Sequence, residues 1–279
     1  MTSRWRRFAA ATTLSFAAVL TSCGPSPAIR AIPLEAPLLL RMAPPEGQVS
    51  RYAFSMETSI ESPMMPSTAD PLATMAWQQV QTVLSADDGV FRIRGAVDSA
   101  STTLDFGMPM PGMDDLLPDL SGVSFTVDMD PRGSVLRVVE SEGIPEGAGV
   151  SVESMLQGAG HSVLPEAEVS PGDSWMVETP IEMPMGTGGT MSLDMEFTYT
   201  FVSLADGLAT LSFEGPMDMD MDMQGMAMTG SGTLSGTLVV DLVEGRYVSQ
   251  TSRQNMEMGV AGTSMTVNTT TTLELMPDS

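Results

Sequence analysis

The chain has 279 residues, 35 of them acidic and 12 basic, and its formal net charge is −23. So acidic a protein is excluded as a nucleic-acid binder, because phosphate groups need neutralising cations, and peripheral binding to anionic lipid is disfavoured. There are 26 methionines against nine Phe, three Tyr and three Trp, which predicts a core of Val, Leu and Met. With one cysteine, no disulfide forms within the chain.

The chain opens with a segment typical of a secretory signal. An apolar run over residues 8–20 follows three early arginines, Arg4, Arg6 and Arg7. This run is too short for a membrane span, which needs about 20 residues. We therefore predict that residues 1–22 are a signal peptide that is removed.

The end of this segment, Leu20-Thr21-Ser22-Cys23, resembles the lipobox of bacterial lipoproteins. In that family the cysteine is acylated and becomes the first residue of the mature protein. The resemblance implies membrane attachment through acyl chains on Cys23, and two such chains anchor a protein stably. In this family an aspartate after the cysteine commonly retains the protein in the inner membrane. Gly24 stands there instead, which favours the outer membrane if the organism has one.

Residues 23–46 are rich in proline and show little periodicity. Proline breaks helices and sheet ladders, and proline-rich segments are extended and semi-rigid. We predict a lipidated tether over 23–46 that holds a domain at 47–276 away from the membrane.

From Gly47 onward the dominant pattern is the period-2 alternation of β-strands. Glycine-bearing loops such as Asp88-Gly89 and Asp206-Gly207 separate the runs, as in β-hairpins. The sequence thus predicts an all-β fold, a large antiparallel meander that forms a strongly curved sheet or half-barrel. Helices are scarce, and we predict only one at 150–158 and a shorter turn at 113–120.

Two halves of the predicted domain, 47–140 and 171–276, share short patterns. Pro45-Glu46-Gly47-Gln48 resembles Pro171-Gly172-Asp173, Asp88-Gly89 resembles Asp206-Gly207, and Asp128 aligns with Asp241. A duplication explains these similarities. Because β-meanders reuse the same turn residues, recurrent turn chemistry explains them equally well.

The sequence offers little for catalysis. Cys23 is assigned to lipid, the chain has no lysine, and His161 is its single histidine. A zinc site needs several His or Cys ligands, and no glycine-rich phosphate loop is present. We predict a protein that is not an enzyme and needs no cofactor or metal.

The run at 217–228 is the sharpest local anomaly, because methionine and aspartate alternate in it. Asp218, Asp220 and Asp222 have the spacing of an EF-hand loop, but Met223 and Thr229 stand where that loop needs glycine and glutamate. A strand with its methionines buried and its aspartates in water explains the pattern, as core packing or as the lining of an apolar ligand site. Thioether sulfur also selects Cu(I), which leaves a copper site as the alternative. The candidate ligand-binding residues are Met217, Met219, Met221 and Met223.

Together with the Pro-Gly-Asp-Ser-Trp run at 171–175, these features resemble a family of uncharacterised bacterial lipoproteins with large antiparallel meanders. A more distant similarity is to lipoprotein carriers, in which helices plug a strongly curved sheet. The resemblance implies a membrane-anchored, non-enzymatic envelope protein whose curved sheet binds an apolar ligand, such as a lipid, or an envelope partner. A methionine-rich periplasmic Cu(I)-binding protein and a purely structural envelope lipoprotein are the alternatives.

Overall fold

The computed structural model describes residues 36–62, 71–104, 120–143, 164–185, 189–223, 226–260 and 263–277. Cys23, His161 and the predicted helix at 150–158 lie outside these ranges. None of the described residues forms a helix that could cross a membrane. The described strands are β1 (Val49–Glu61), β2 (Ala73–Asp87), β3 (Val90–Leu104), β4 (Ser124–Met129), β5 (Val135–Glu142), β6 (Ser174–Met185), β7 (Gly189–Ala205), β8 (Leu208–Met223), β9 (Met226–Asp241), β10 (Arg246–Val260) and β11 (Thr263–Leu275).

The eleven described strands form one antiparallel sheet in the order β5-β4-β3-β2-β1-β11-β10-β9-β8-β7-β6. Consecutive strands of the chain are neighbours in the sheet, with one exception: β5 and β6 do not pair and are the two end strands of the sheet. The first and last strands, β1 and β11, pair with each other in the middle of the sheet. The predicted all-β antiparallel meander is confirmed.

The sheet curls so strongly that both of its end strands contribute to one core. Val135 of β5 and Trp175 of β6 pack against the same apolar cluster, although nine strands separate β5 from β6 in the sheet. Inward side chains from the strands between them complete the cluster, among them Tyr52, Phe54, Met129, Phe201, Leu211, Leu238, Val240, Tyr247 and Leu273. A flat sheet of this width would hold such residues far apart, because neighbouring strands are about 4.8 Å apart.

Two segments outside the strands fill the centre of this curl, residues 38–42 and residues 164–169. We call them the floor. Leu40 and Leu164 are 0% and 1% exposed, and both belong to the same cluster as the inward strand residues. The structure differs here from the predicted tether, because the chain is already part of the domain at Leu38 rather than at Gly47. The predicted tether over 23–35 lies outside the described residues.

Backbone hydrogen bonds join the two floor segments to each other and to the β4–β5 turn. The Leu38 amide of the first segment donates to the Val169 carbonyl of the second at 2.8 Å, and the chain runs on from Val169 to the start of β6 at Ser174. The Met42 amide donates to the Pro131 carbonyl at 2.8 Å, in the turn between β4 and β5. The floor therefore spans the gap between the two end strands.

Two arginines reinforce this connection. Arg41 donates through Nη1 to the Pro165 carbonyl at 2.6 Å and through Nη2 to the Glu166 carbonyl at 2.9 Å. Arg132 donates through Nε to the Leu164 carbonyl at 2.8 Å and forms an ion pair with Glu166 at 3.0 Å. The two floor segments and the β4–β5 turn are thus held as one unit.

The two halves of the sheet repeat the same hairpin. Asp88-Gly89 and Asp206-Gly207 both have two residues with positive φ, at 49° and 76° in the first and 52° and 81° in the second. Two such residues define a type I′ turn, whose twist matches that of the flanking strands. The pairing register also shifts at equivalent places, at Leu84 before the first turn and at Val202 before the second.

The start of each half repeats as well. The Gly47 amide donates to the Val83 carbonyl at 2.9 Å, and the Gly172 amide donates to the Phe201 carbonyl at 2.7 Å. The return bonds, from Val83 to Gln48 and from Phe201 to Asp173, are 3.0 and 2.9 Å long. These bonds align Gln48 with Asp173.

One cross-strand pair occurs in both halves with its two residues exchanged. Gly95 of β3 faces Phe125 of β4, whereas Phe213 of β8 faces Gly236 of β9. In each pair the ring lies less than 3 Å from the point that a Cβ on the glycine would occupy. Glycine kinks help a sheet to curve, and an aromatic ring over a glycine helps to fix the pairing register. Matching the two pairs aligns Phe125 with Gly236. The same alignment places Asp130, not Asp128, at the position of Asp241.

Both end strands have features that discourage further pairing. The register of β5 shifts twice within eight residues, at Leu136 and at Val139. β6 carries Pro180 and Pro184, which cannot donate a backbone hydrogen bond. Bulges and prolines are common ways in which proteins protect sheet edges.

Replacing Leu40 by alanine tests the floor. Leu40 is fully buried, so Leu40→Ala should lower the free energy of unfolding by about 2–5 kcal/mol. The neighbouring Leu39 is 44% exposed, and Leu39→Ala should change it by less than about 0.5 kcal/mol. Urea denaturation measures both variants. Equal, small effects would contradict the position of the floor in the core.

Candidate functional site

Strand β8 has the alternating burial that the sequence predicts. Met217 and Met219 are 3% and 8% exposed, whereas Asp218 and Asp220 are exposed to solvent. Met221 is partly buried on the same side as Met217 and Met219. The methionines therefore lie on the inward face of the sheet and the aspartates on its outward face. The backbone of Met223, the fourth candidate, pairs with Met226 at the end of the hairpin.

Methionines of the neighbouring strands extend this inward surface, away from the floor. Met195 of β7 pairs with Met217, and Met191 of β7 pairs with Met221. We call the set the methionine face, and its members are Met191, Met195, Met217, Met219, Met221, Met256 and Met258. They pack with Ile181, Phe197, Tyr199 and Phe213 in a second apolar cluster.

Strand β9 has no side chains in the middle of this face. Gly230 pairs with Met219 on one side and Met258 on the other, and Gly232 pairs with Met217 and Met256. The Met256 sulfur is 3.1 Å, and the Met258 Cγ 3.3 Å, from the point that a Cβ on Gly230 would occupy. Methionines thus lie over a strip of bare backbone. Because methionine is unbranched and flexible, these side chains can move aside at little cost.

The outward surface of the same strands is strongly acidic. Glu178 pairs with Glu196 across β6 and β7, and Asp194 pairs with Asp218 across β7 and β8. Like charges directly opposite each other destabilise a sheet, so this surface favours solubility over stability. In the described ranges no three acidic, His or Cys side chains come together as metal ligands would.

Asp128 has the most perturbed carboxylate pKa of the described residues. A hydrogen bond from Arg92, and after it one from Arg137, lower the pKa of Asp128 to about 2, against the desolvation that would raise it. The Nε atoms of Arg92 and Arg137 lie 2.8 and 2.6 Å from its oxygens. The three residues form an ion-pair network on the outward side of β4, and this network accounts for the shifted pKa of Asp128.

Tyr52 is also perturbed, and it lies on the inward side beside the floor. Burial raises the pKa of Tyr52 to about 12, so its hydroxyl stays neutral. This hydroxyl donates to the Tyr247 carbonyl at 3.3 Å. Tyr52 lines a cavity of about 30 Å³ together with Ser50, Gln81 and Arg246. No local sequence pattern marks these residues, because β1, β2 and β10 lie close together in the sheet but contribute them from segments far apart in the chain.

Residues 158–246 match the model of a family described as a family of unknown function (DUF6263). This match spans the second floor segment and strands β6 to β9, and it ends at Arg246. No curated protein matches the chain. Among solved structures, that of Ail, the attachment invasion locus protein of Yersinia pestis, aligns with 83% of this chain and 100% of its own at 6% identity, with a TM-score of 0.21. So low a TM-score supports no inference about this chain.

Substitutions at Met219 separate core packing from metal ligation. Met219→Ala should cost about 2–5 kcal/mol of unfolding free energy, because it leaves a cavity. Met219→Leu should cost less than about 1.5 kcal/mol, because it keeps volume and apolarity. If Met219 were instead a copper ligand, both variants would lose the metal equally and metal-free stability would hardly change. Thermal unfolding with and without Cu(I) distinguishes these results.

Asp220 provides the matched test of the outward face. Its carboxylate is exposed beside other carboxylates, so Asp220→Asn should be neutral or slightly stabilising at low salt. A severe loss of stability on thermal unfolding would contradict the assignment of the two faces.

Proposed function

We propose that the protein is an exported, lipid-anchored, non-enzymatic component of the cell envelope that binds an apolar ligand on its methionine face. The signal-like segment at 1–22 and the lipobox-like sequence ending at Cys23 support the anchor. The flexible apolar side chains over the bare backbone of β9 support the ligand site, and this is the observation on which the proposal chiefly rests.

The division of the inward face favours a ligand at the methionine end. At the other end the floor fills the curl with its own side chains, and Leu40 and Leu164 are fully packed. At the methionine end the sheet contributes side chains that repack easily around varied shapes. An apolar ligand that displaces Met256 and Met258 would contact the backbone of β9 directly.

A Cu(I)-binding function is the second candidate, and one observation favours it. Met191 pairs with Met221, and Met221 pairs with Met228, so three thioethers stand in one row across β7, β8 and β9. Directly opposite residues in a sheet have Cβ atoms about 5 Å apart, which brings such sulfurs within reach of one soft ion. Titration against a chromophoric Cu(I) chelator tests this alternative. The Met221→Leu variant should abolish any such binding.

Replacing Cys23 by serine tests the anchor. Cys23→Ser should abolish acylation and leave the protein soluble or uncleaved, because serine cannot carry the thioether-linked lipid. Detergent phase partitioning and the mass of the N-terminal fragment measure this. If the serine variant still partitions entirely into detergent with an unchanged N-terminal mass, the lipobox assignment is wrong.

A fluorescent apolar probe tests the ligand site. The chain from Gly24 onward should enhance the fluorescence of N-phenyl-1-naphthylamine, and a long-chain fatty acid should reverse the enhancement. Gly230→Leu should reduce it, because the new side chain fills the strip under Met256 and Met258. Gly259→Leu is the control, since a Cβ on Gly259 meets no atom within 4 Å. Absence of probe binding by the folded wild-type chain would refute the proposed ligand site.

A further inference from the structure

We propose that the ligand of the methionine face is an uncharged amphiphile of the acylglycerol class. Its acyl chain lies on the methionines, and its hydroxylated head group bonds to a row of polar side chains beside them. This row consists of Gln254, Thr269 and Thr58, and we call it the polar row. The inference rests on the function proposed above and names the chemical class of the ligand.

The polar row borders the methionine face on the inward side of the sheet. Gln254 precedes Met256 by two residues on β10, so the two side chains lie on the same face. Thr269 of β11 pairs with Gln254 on one side and with Thr58 on the other. The three polar residues therefore lie side by side across β10, β11 and β1.

The row offers hydrogen-bonding groups that a head group can use. The Thr58 and Thr269 hydroxyl oxygens are 3.1 Å apart and share one hydrogen bond, which leaves each oxygen able to accept another. Among the described residues the Gln254 amide has no hydrogen-bond partner, so its N–H groups and its oxygen are available. All three side chains are partly exposed, so a ligand can reach them.

Charged side chains lie on the outward face around this site. On β1 and on β7 to β11, those whose burial the structure describes are exposed, except Asp241 and Arg246 in the hairpin at the floor end. On β10, for example, Arg253 and Glu257 are exposed and alternate with the inward residues. An ionised head group would find no counter-ion on the inward side, and burying an unpaired charge is costly.

The acidic outward surface also acts against ionic ligands. Asp218, Asp220 and Glu257 line a groove of about 460 Å³ at the same end of the sheet. Because the formal net charge is −23, the protein repels anions as they approach. A cationic head group would be drawn to the carboxylates of this groove rather than to the uncharged polar row. An uncharged head group meets neither obstacle.

The curl is wide enough for such a ligand. A closed sheet of eight strands can already hold one small ligand, and this sheet has eleven described strands. The described floor residues belong to the first apolar cluster and not to the second, which contains the methionines. The floor therefore leaves the methionine end of the curl to the side chains of the strands.

Equilibrium binding of three tritiated lipids with the same 18-carbon chain tests the ligand class on the purified full chain in a non-ionic detergent. Monoolein is uncharged, oleate is an anion and oleylamine is a cation. Monoolein should bind about tenfold more tightly than either ion, because only its head group gains hydrogen bonds without burying a charge.

Two variants test the polar row itself. Gln254→Leu and Thr269→Val remove hydrogen-bonding groups and nearly keep the side-chain volume. Each should weaken monoolein binding by about fivefold to tenfold. Each should leave the binding of tritiated 1-octadecene unchanged, because this hydrocarbon has no head group. Gln78→Leu, at an exposed glutamine of β2, is the matched control and should leave the binding of both lipids unchanged.

The failure of this inference and the failure of the proposed function give different results. If the folded wild type binds 1-octadecene, but oleate or oleylamine binds as tightly as monoolein, the ligand class is wrong and the apolar site stands. Normal monoolein binding by both row variants would likewise overturn the class. If the folded wild type binds none of the four lipids, the proposed function itself fails. Should one row variant not fold, the other variant and the wild-type series decide.

Discussion

A wide antiparallel sheet with one apolar face must cover that face, and the rest of this structure depends on how it does so. Here the sheet curls until side chains of β5 and β6 reach the same core, and the floor fills the space between them. Leu40 supplies the apolar contact. Arg41 and Arg132 donate to the carbonyls of Pro165 and Leu164 in the second floor segment. Residues 38–42, which the sequence assigned to the tether, are thereby part of the folded domain.

The inward face is divided into two parts with different chemistry. Beside the floor it is packed by branched and aromatic side chains from both halves, with one small cavity at Arg246. Farther along β7 to β10 it is formed by methionines over the glycines of β9. Rigid packing at one end and adaptable packing at the other suit a protein that keeps its shape while one surface accommodates an apolar guest.

Local sequence patterns predicted the hairpin turns and the buried faces of strands, because backbone conformation and strand periodicity determine both of these locally. Asp88-Gly89 and Asp206-Gly207 mark their turns because both turn positions need positive φ. The alternation of methionine and aspartate around Met217 identifies the buried face of β8, because successive side chains of a strand point to opposite faces of the sheet. The floor was missed, although Leu38, Leu40 and Met42 alternate with Leu39 and Arg41, because the surrounding prolines suggested a free tether. The cavity at Arg246 depends on contacts between segments that are far apart in the chain, which no local pattern encodes.

Hydrogen exchange of the full chain tests most directly whether the floor belongs to the fold. The amides of Leu38 and Met42 donate to carbonyls of the segments next to β6 and β5. If the floor holds the curl together, these amides should exchange as slowly as those of β1 and β11, through global unfolding. Exchange of Leu38 and Met42 within seconds, while the strands stay protected, would contradict this account.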